Sequence, residues 1–103
     1  MSASKIYQLQ HLIEKIEEVD GMIKKHSSNA SAFMLEQYEA KKEKLLGYLI
    51  DELVDAKLRS PYSFKLILLA LMKFYPELIQ KNPSSLKLDK HYGELKDLEA
   101  VLA

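Results

Sequence analysis

The stretch Ser60-Pro61-Tyr62-Ser63-Phe64-Lys65-Leu66-Ile67-Leu68-Leu69-Ala70-Leu71-Met72-Lys73-Phe74-Tyr75-Pro76 decides the fold. Both of its ends are marked. Ser60 can accept hydrogen bonds from the first free N–H groups of a helix, and Pro61 suits the first helical position, where its missing N–H costs nothing. Pro76 turns Tyr75 away from helical angles and ends the run. At about 100° per residue, Phe64, Leu68, Leu71 and Met72 share one side, while Leu66, Leu69, Ala70 and Phe74 cover much of the rest. Only Ser63, Lys65 and Lys73 interrupt the apolar surface. Such a helix demands enclosure, so this pattern predicts a central helix over 61–75 with the remaining helices as its coat.

Two longer amphipathic segments precede it. Ile6, Leu9, Leu12, Ile13, Ile16, Val19 and Ile23 recur at helical spacing over 4–25 and occupy an arc of roughly 140°. His26-Ser27-Ser28-Asn29 supplies turn chemistry. A second helix is predicted over 30–58, antiparallel to the first because the connection is short. Its first half carries one stripe, with Leu35, Tyr38, Leu45 and Leu49. From Leu45 onward the apolar arc widens to roughly 220°, taking in Leu46, Ile50, Leu53, Val54, Ala56 and Leu58. Gly47 lies at the edge of that arc, where its missing side chain can permit close helix approach. The open end of the hairpin is therefore where the central helix is expected to dock.

Beyond Pro76, Glu77-Leu78-Ile79-Gln80-Lys81 suits one further turn, and Asn82-Pro83-Ser84-Ser85 is a break. Leu86-Lys87-Leu88 reads as an extended connector. Asp89 can cap a last helix over 90–102 that presents Tyr92, Leu95, Leu98 and Leu102, with Gly93 early in it. The expected architecture is all-α and four-helix-bundle-like. A single domain spans 1–103, with the hairpin in 4–58 and the central helix, connector and C-terminal helix in 60–103.

Composition narrows the function classes. Hydrophobic residues make up 48% and charged residues 29% of the 103, which is globular rather than disordered. Lys plus Arg and Asp plus Glu number 15 each, so no global field draws the chain to nucleic acid or to an acidic membrane. The basic clusters Lys24-Lys25-His26 and Lys41-Lys42-Lys44 sit at a helix end or are interleaved with Glu39 and Glu43. The run after Pro61 is bracketed by Lys65 and Lys73 and falls short of the roughly 20 residues that span a bilayer. The opening Met1-Ser2-Ala3-Ser4-Lys5 leads into an amphipathic pattern rather than an apolar signal core, and there is no cysteine. A cytoplasmic chain is expected, with no nucleic-acid or membrane partner.

No catalytic constellation emerges. The residues three before His11, His26 and His91 are Gln8, Ile23 and Leu88, so the Glu-x-x-His pair of helical di-iron sites is missing. His11 and Glu14 have that spacing in reverse, but outside the apolar arc. Three scattered histidines without cysteine make no zinc spacing. Most serines fall at caps and turns, and the three glycines form no phosphate loop. No enzyme, metal or cofactor is expected.

Two readings remain with residues attached. Asp20 projects into the apolar arc of the first helix, and Lys42 into the stripe of the second. Counting back from the turn places Asp20 about level with Tyr38, and Lys42 about one and a half turns further along. A lone buried carboxylate is costly, so Asp20 is expected to take a hydrogen bond from Tyr38 or an ion pair from Lys42, fixing the hairpin's register. The second reading is a partner surface on Leu46, Ile50, Val54, Tyr62, Phe74 and Tyr75, motivated by apolar excess at the open end. It predicts a non-enzymatic protein–protein interaction module, self-associating as a homo-oligomer, a dimer. Two alternatives stand beside it. In size and helical architecture alone the chain resembles bacteriocin immunity proteins, which implies an antitoxin- or immunity-like bundle that neutralises a specific partner. The other is a small-molecule-binding bundle or enzyme, which needs a pocket with convergent polar groups.

Overall fold

The computed structural model describes residues 3–26, 31–78 and 93–102, and among these it is all-α. The helices are α1 (Ala3–His26), α2 (Ala32–Leu53), α3 (Pro61–Phe74) and α4 (Gly93–Leu102), with a 3-10 turn at Pro76–Leu78. The expected turn residues 27–30, the connector 79–92 and the Asp89 cap lie outside the described residues.

α1 and α2 pack side by side as an antiparallel hairpin. Lys5 at the start of α1 meets Glu52 at the end of α2, and Asp20 meets Lys42 midway. Ser31 starts α2 by accepting a 3.2 Å hydrogen bond from the Met34 N–H. The helix stops at Leu53, five residues before the expected end. Asp55 is the reason. Its carboxylate accepts from the Lys57 N–H at 3.0 Å, and its carbonyl from Leu58 and Arg59 at 2.9 and 2.8 Å. This local turn outcompetes helix continuation. Val54 becomes the C-cap, and Ala56 and Leu58 leave the helix, so the wide apolar arc is shorter than its sequence suggests.

α3 begins with a reciprocal cap. Ser60 Oγ accepts from the Ser63 N–H at 3.2 Å, and Ser63 Oγ accepts from the Ser60 N–H at 2.8 Å. Ser63, an interruption when read as part of an apolar surface, is buried because it completes this box. Tyr75 closes the helix in a non-helical conformation ahead of Pro76, and α3 runs back along α2 until Tyr75 reaches Lys42.

The core is Ile16 and Val19 from α1, Leu45, Leu46, Leu49 and Leu53 from α2, and Phe74 from α3. Among the described residues the expected enclosure of α3 does not occur. Tyr62, Phe64, Leu66, Leu68, Leu69 and Met72 are between 37% and 66% exposed. Only Ser63, Ile67, Ala70, Leu71 and Phe74 face inward, so α3 is a third layer laid on one side of the hairpin. α4 does not coat it either: Leu95, Leu98, Val101 and Leu102 are 56% to 86% exposed. Gly47 permits no close approach, since nothing lies within 4 Å of where its Cβ would stand.

Candidate interaction surface

Lys42 ties three elements together. It is 6% exposed and Asp20 7%, and Lys42 Nζ lies 2.8 Å from Asp20 Oδ1. Lys24, one turn after Asp20 on α1, reaches its other oxygen at 3.1 Å from the solvent side. Lys42 also stands over the Tyr75 ring, 4.3 Å from its centroid, a favourable place for a cation. α1, α2 and the end of α3 are thus registered by one ammonium. Tyr38 takes no part; its ring stacks on His26 instead, with centroids 6.5 Å apart.

Burial by itself would raise the Asp20 pKa. The hydrogen bonds and positive charge of Lys42 and Lys24 outweigh it and hold the carboxyl below its ordinary value of 3.8. Tyr75 moves the other way. Burial, then the carboxylates of Glu39, Glu43, Glu77 and Asp20, push its phenol up to about 12. Its buried hydroxyl has no hydrogen-bond partner among the described residues.

The open surface lies elsewhere. α1 and α3 both rest on α2, and an apolar furrow of about 220 Å³ separates them. Leu49 and Leu53 of α2 form its floor. Leu9 and Ile13 line the α1 side, and Leu66, Leu69, Ala70 and Phe74 the α3 side. Lys73 borders it and pairs with Glu17 of α1 at 2.7 Å, joining the two walls. The half-exposed side chains of Ile6, Phe64, Leu68 and Met72 add to the apolar surface of the same two helices. Two other hollows are more mixed: one has Lys15, Glu18, Tyr38 and Lys41 in its lining, the other Gln8, His11, Tyr48, Asp51 and Glu52. Among the described residues no three His, Cys, Asp or Glu side chains converge as metal ligands would. No described helix is long and apolar enough to cross a membrane.

The six residues read from sequence as a partner surface divide. Leu46 and Phe74 are 5% and 3% exposed and belong to the core, because α3 seats itself on that part of α2. Ile50, Val54 and Tyr75 are half-buried, Ile50 and Tyr75 against the core, and Tyr62 is exposed at the start of α3. Of these six, only Phe74 lines the furrow. The furrow's signal lies in the apolar positions Leu66 and Leu69, whose helical period equally suits the interior of an enclosed helix. Comparison with family models, with curated proteins and with solved structures finds no match.

Proposed function

We propose that this chain is a non-enzymatic helical interaction module that associates with a second copy of itself. One observation carries the reading: the apolar furrow between α1 and α3, walled by Leu9 and Ile13 on one side and Leu66 and Leu69 on the other, with Ile6, Leu68 and Met72 half-exposed elsewhere on the same two helices. Exposed apolar surface grouped in this way is characteristic of partner sites. The lysines on this face are few and lie among apolar side chains, as in an interface whose core is depleted of charge. A chain without cysteine suits a reducing compartment, and the reading assigns it to the cytoplasm.

Sedimentation equilibrium over a concentration series tests the proposal. A dimer is expected at the higher concentrations, weakened at least tenfold by Leu69→Asp, which alters a furrow side chain 48% exposed and leaves the helical signal intact. A wild-type chain that stays monomeric throughout the series overturns it.

A further inference from the structure

The two walls of the furrow are held with unequal strength. α1 and α2 share a long contact, tied by Lys5 and Glu52 at one end and by Asp20 and Lys42 midway. α3 meets that hairpin most firmly at three consecutive residues near its end. Lys73 pairs with Glu17 of α1 at 2.7 Å, Phe74 is buried in the core, and the Tyr75 ring lies under the Lys42 ammonium. The earlier turns hold less. Ile67, Ala70 and Leu71 are only half-buried against the core, while Tyr62, Phe64, Leu66, Leu68 and Leu69 are exposed.

The other end of α3 is joined to α2 through residues 54–60. The hydrogen bonds of that turn run from Asp55 to Lys57, Leu58 and Arg59, all within the turn itself. Such a connection can swing as a hinge while α1 and α2 stay paired. Burial sets the order of opening. Releasing α3 gives up one fully buried apolar side chain of its own, Phe74, whereas unfolding the hairpin also gives up Ile16, Val19, Leu45, Leu46, Leu49 and Leu53. Segments that bury less apolar surface open at lower free energy, as separate cooperative units. The furrow exists only while α3 is seated, because Leu66, Leu69, Ala70 and Phe74 make one of its walls.

We infer that α3 is a latched arm, hinged at 54–60 and held by Lys73, Phe74 and Tyr75, whose opening takes the furrow apart while the α1–α2 hairpin stays folded. This rests on the self-association proposed above and names its control. The arm must close before a second copy binds, and a bound copy holds the arm closed.

Amide hydrogen exchange followed by NMR tests this in two measurements. With the chain below the Kd of the dimer, small increments of urea are expected to resolve two groups of amides. Those of α3 exchange through an opening of lower free energy and weaker urea dependence than those in the middle of α1 and α2. Gly47→Ala strengthens α2 whether or not the arm is seated, so it slows the hairpin amides about two- to fivefold and leaves α3 unchanged. Tyr75→Ala removes a latch residue outside the furrow lining and speeds α3 exchange about tenfold. Equal free energies and urea slopes in α3 and the hairpin, or slowing of both by Gly47→Ala, overturn the arm and leave self-association standing. Unchanged α3 exchange in Tyr75→Ala overturns the latch. The second measurement takes the wild type to a free concentration about ten times that Kd. α3 exchange is expected to slow about tenfold, since opening then requires release of the second copy. Exchange in α3 that ignores concentration overturns the control, because the second copy then binds whether or not the arm is seated. A chain monomeric at every concentration removes self-association and its control together.

Discussion

Replacing Lys42 by methionine tests the structural centre of the molecule. The substitution keeps the apolar stem that packs between α1 and α2 and removes only the ammonium. Asp20 is then left buried with Lys24, whose side chain is 76% exposed, as its remaining partner. Removing one member of a buried ion pair costs about 3–5 kcal/mol, because the other charge stays out of water uncompensated. Lys24 and access to solvent on one side place the expected loss near the lower figure, about 3 kcal/mol. Loss of the cation over the Tyr75 ring adds up to about 1 kcal/mol. Asp20→Leu strands the lysine instead and is expected to cost a similar amount. The double variant Asp20→Leu/Lys42→Met removes both charges together, and such replacements are often neutral or stabilising. Its stability should fall within about 1 kcal/mol of the wild type, far less than the two losses added. Urea unfolding followed by far-UV circular dichroism at neutral pH measures all four proteins, with a common slope confirming that the same surface is exposed. Single losses below about 1 kcal/mol that simply add would refute the argument, since the two groups would then not be paired in a water-poor site.

Further outcomes follow from the same geometry. The Asp20 carboxyl is held below 3.8 by its lysines, so the stability it contributes is complete above that value and is lost as pH falls through the lower native pKa. Acid titration of stability should therefore drop more steeply in the wild type than in the Asp20→Leu/Lys42→Met double variant; parallel curves would contradict this. Ser60→Ala removes the acceptor of the Ser63 N–H and leaves the buried Ser63 hydroxyl with half its box, so a loss of about 1–2 kcal/mol is expected in urea unfolding. Gly47→Ala should raise stability by about 0.5–1 kcal/mol, because the position is inside α2 and a Cβ there meets nothing within 4 Å. A fall in the melting temperature of that variant would show that another chain approaches the position closely.

The helices themselves were legible in the amino-acid order. Their signals are local: a 3.6-residue period, serine before proline at Ser60-Pro61, and proline after Tyr75, each acting within one or two turns. α1 and α3 accordingly begin and end within a residue or two of where the pattern puts them. The Asp55 turn that ends α2 early was also local, yet the apolar residues Val54, Ala56 and Leu58 continued the helical period and concealed it. The polar intrusion of Asp20 and Lys42 into apolar arcs was equally visible, since it needs only the period of each helix.

What the order of residues left open was which surfaces meet. Apolar side chains on every side of α3 state that it seeks partners, but not how many the chain itself supplies. Burial is a property of neighbours, and hydrophobic attraction is non-directional, so the same pattern suits an enclosed helix or one half of an interface. Tertiary packing made that decision. It placed Leu46 and Phe74 in the core and chose Lys42 over Tyr38 for Asp20. With α1 and α3 both laid on α2, it left the furrow over Leu49 and Leu53 open between them.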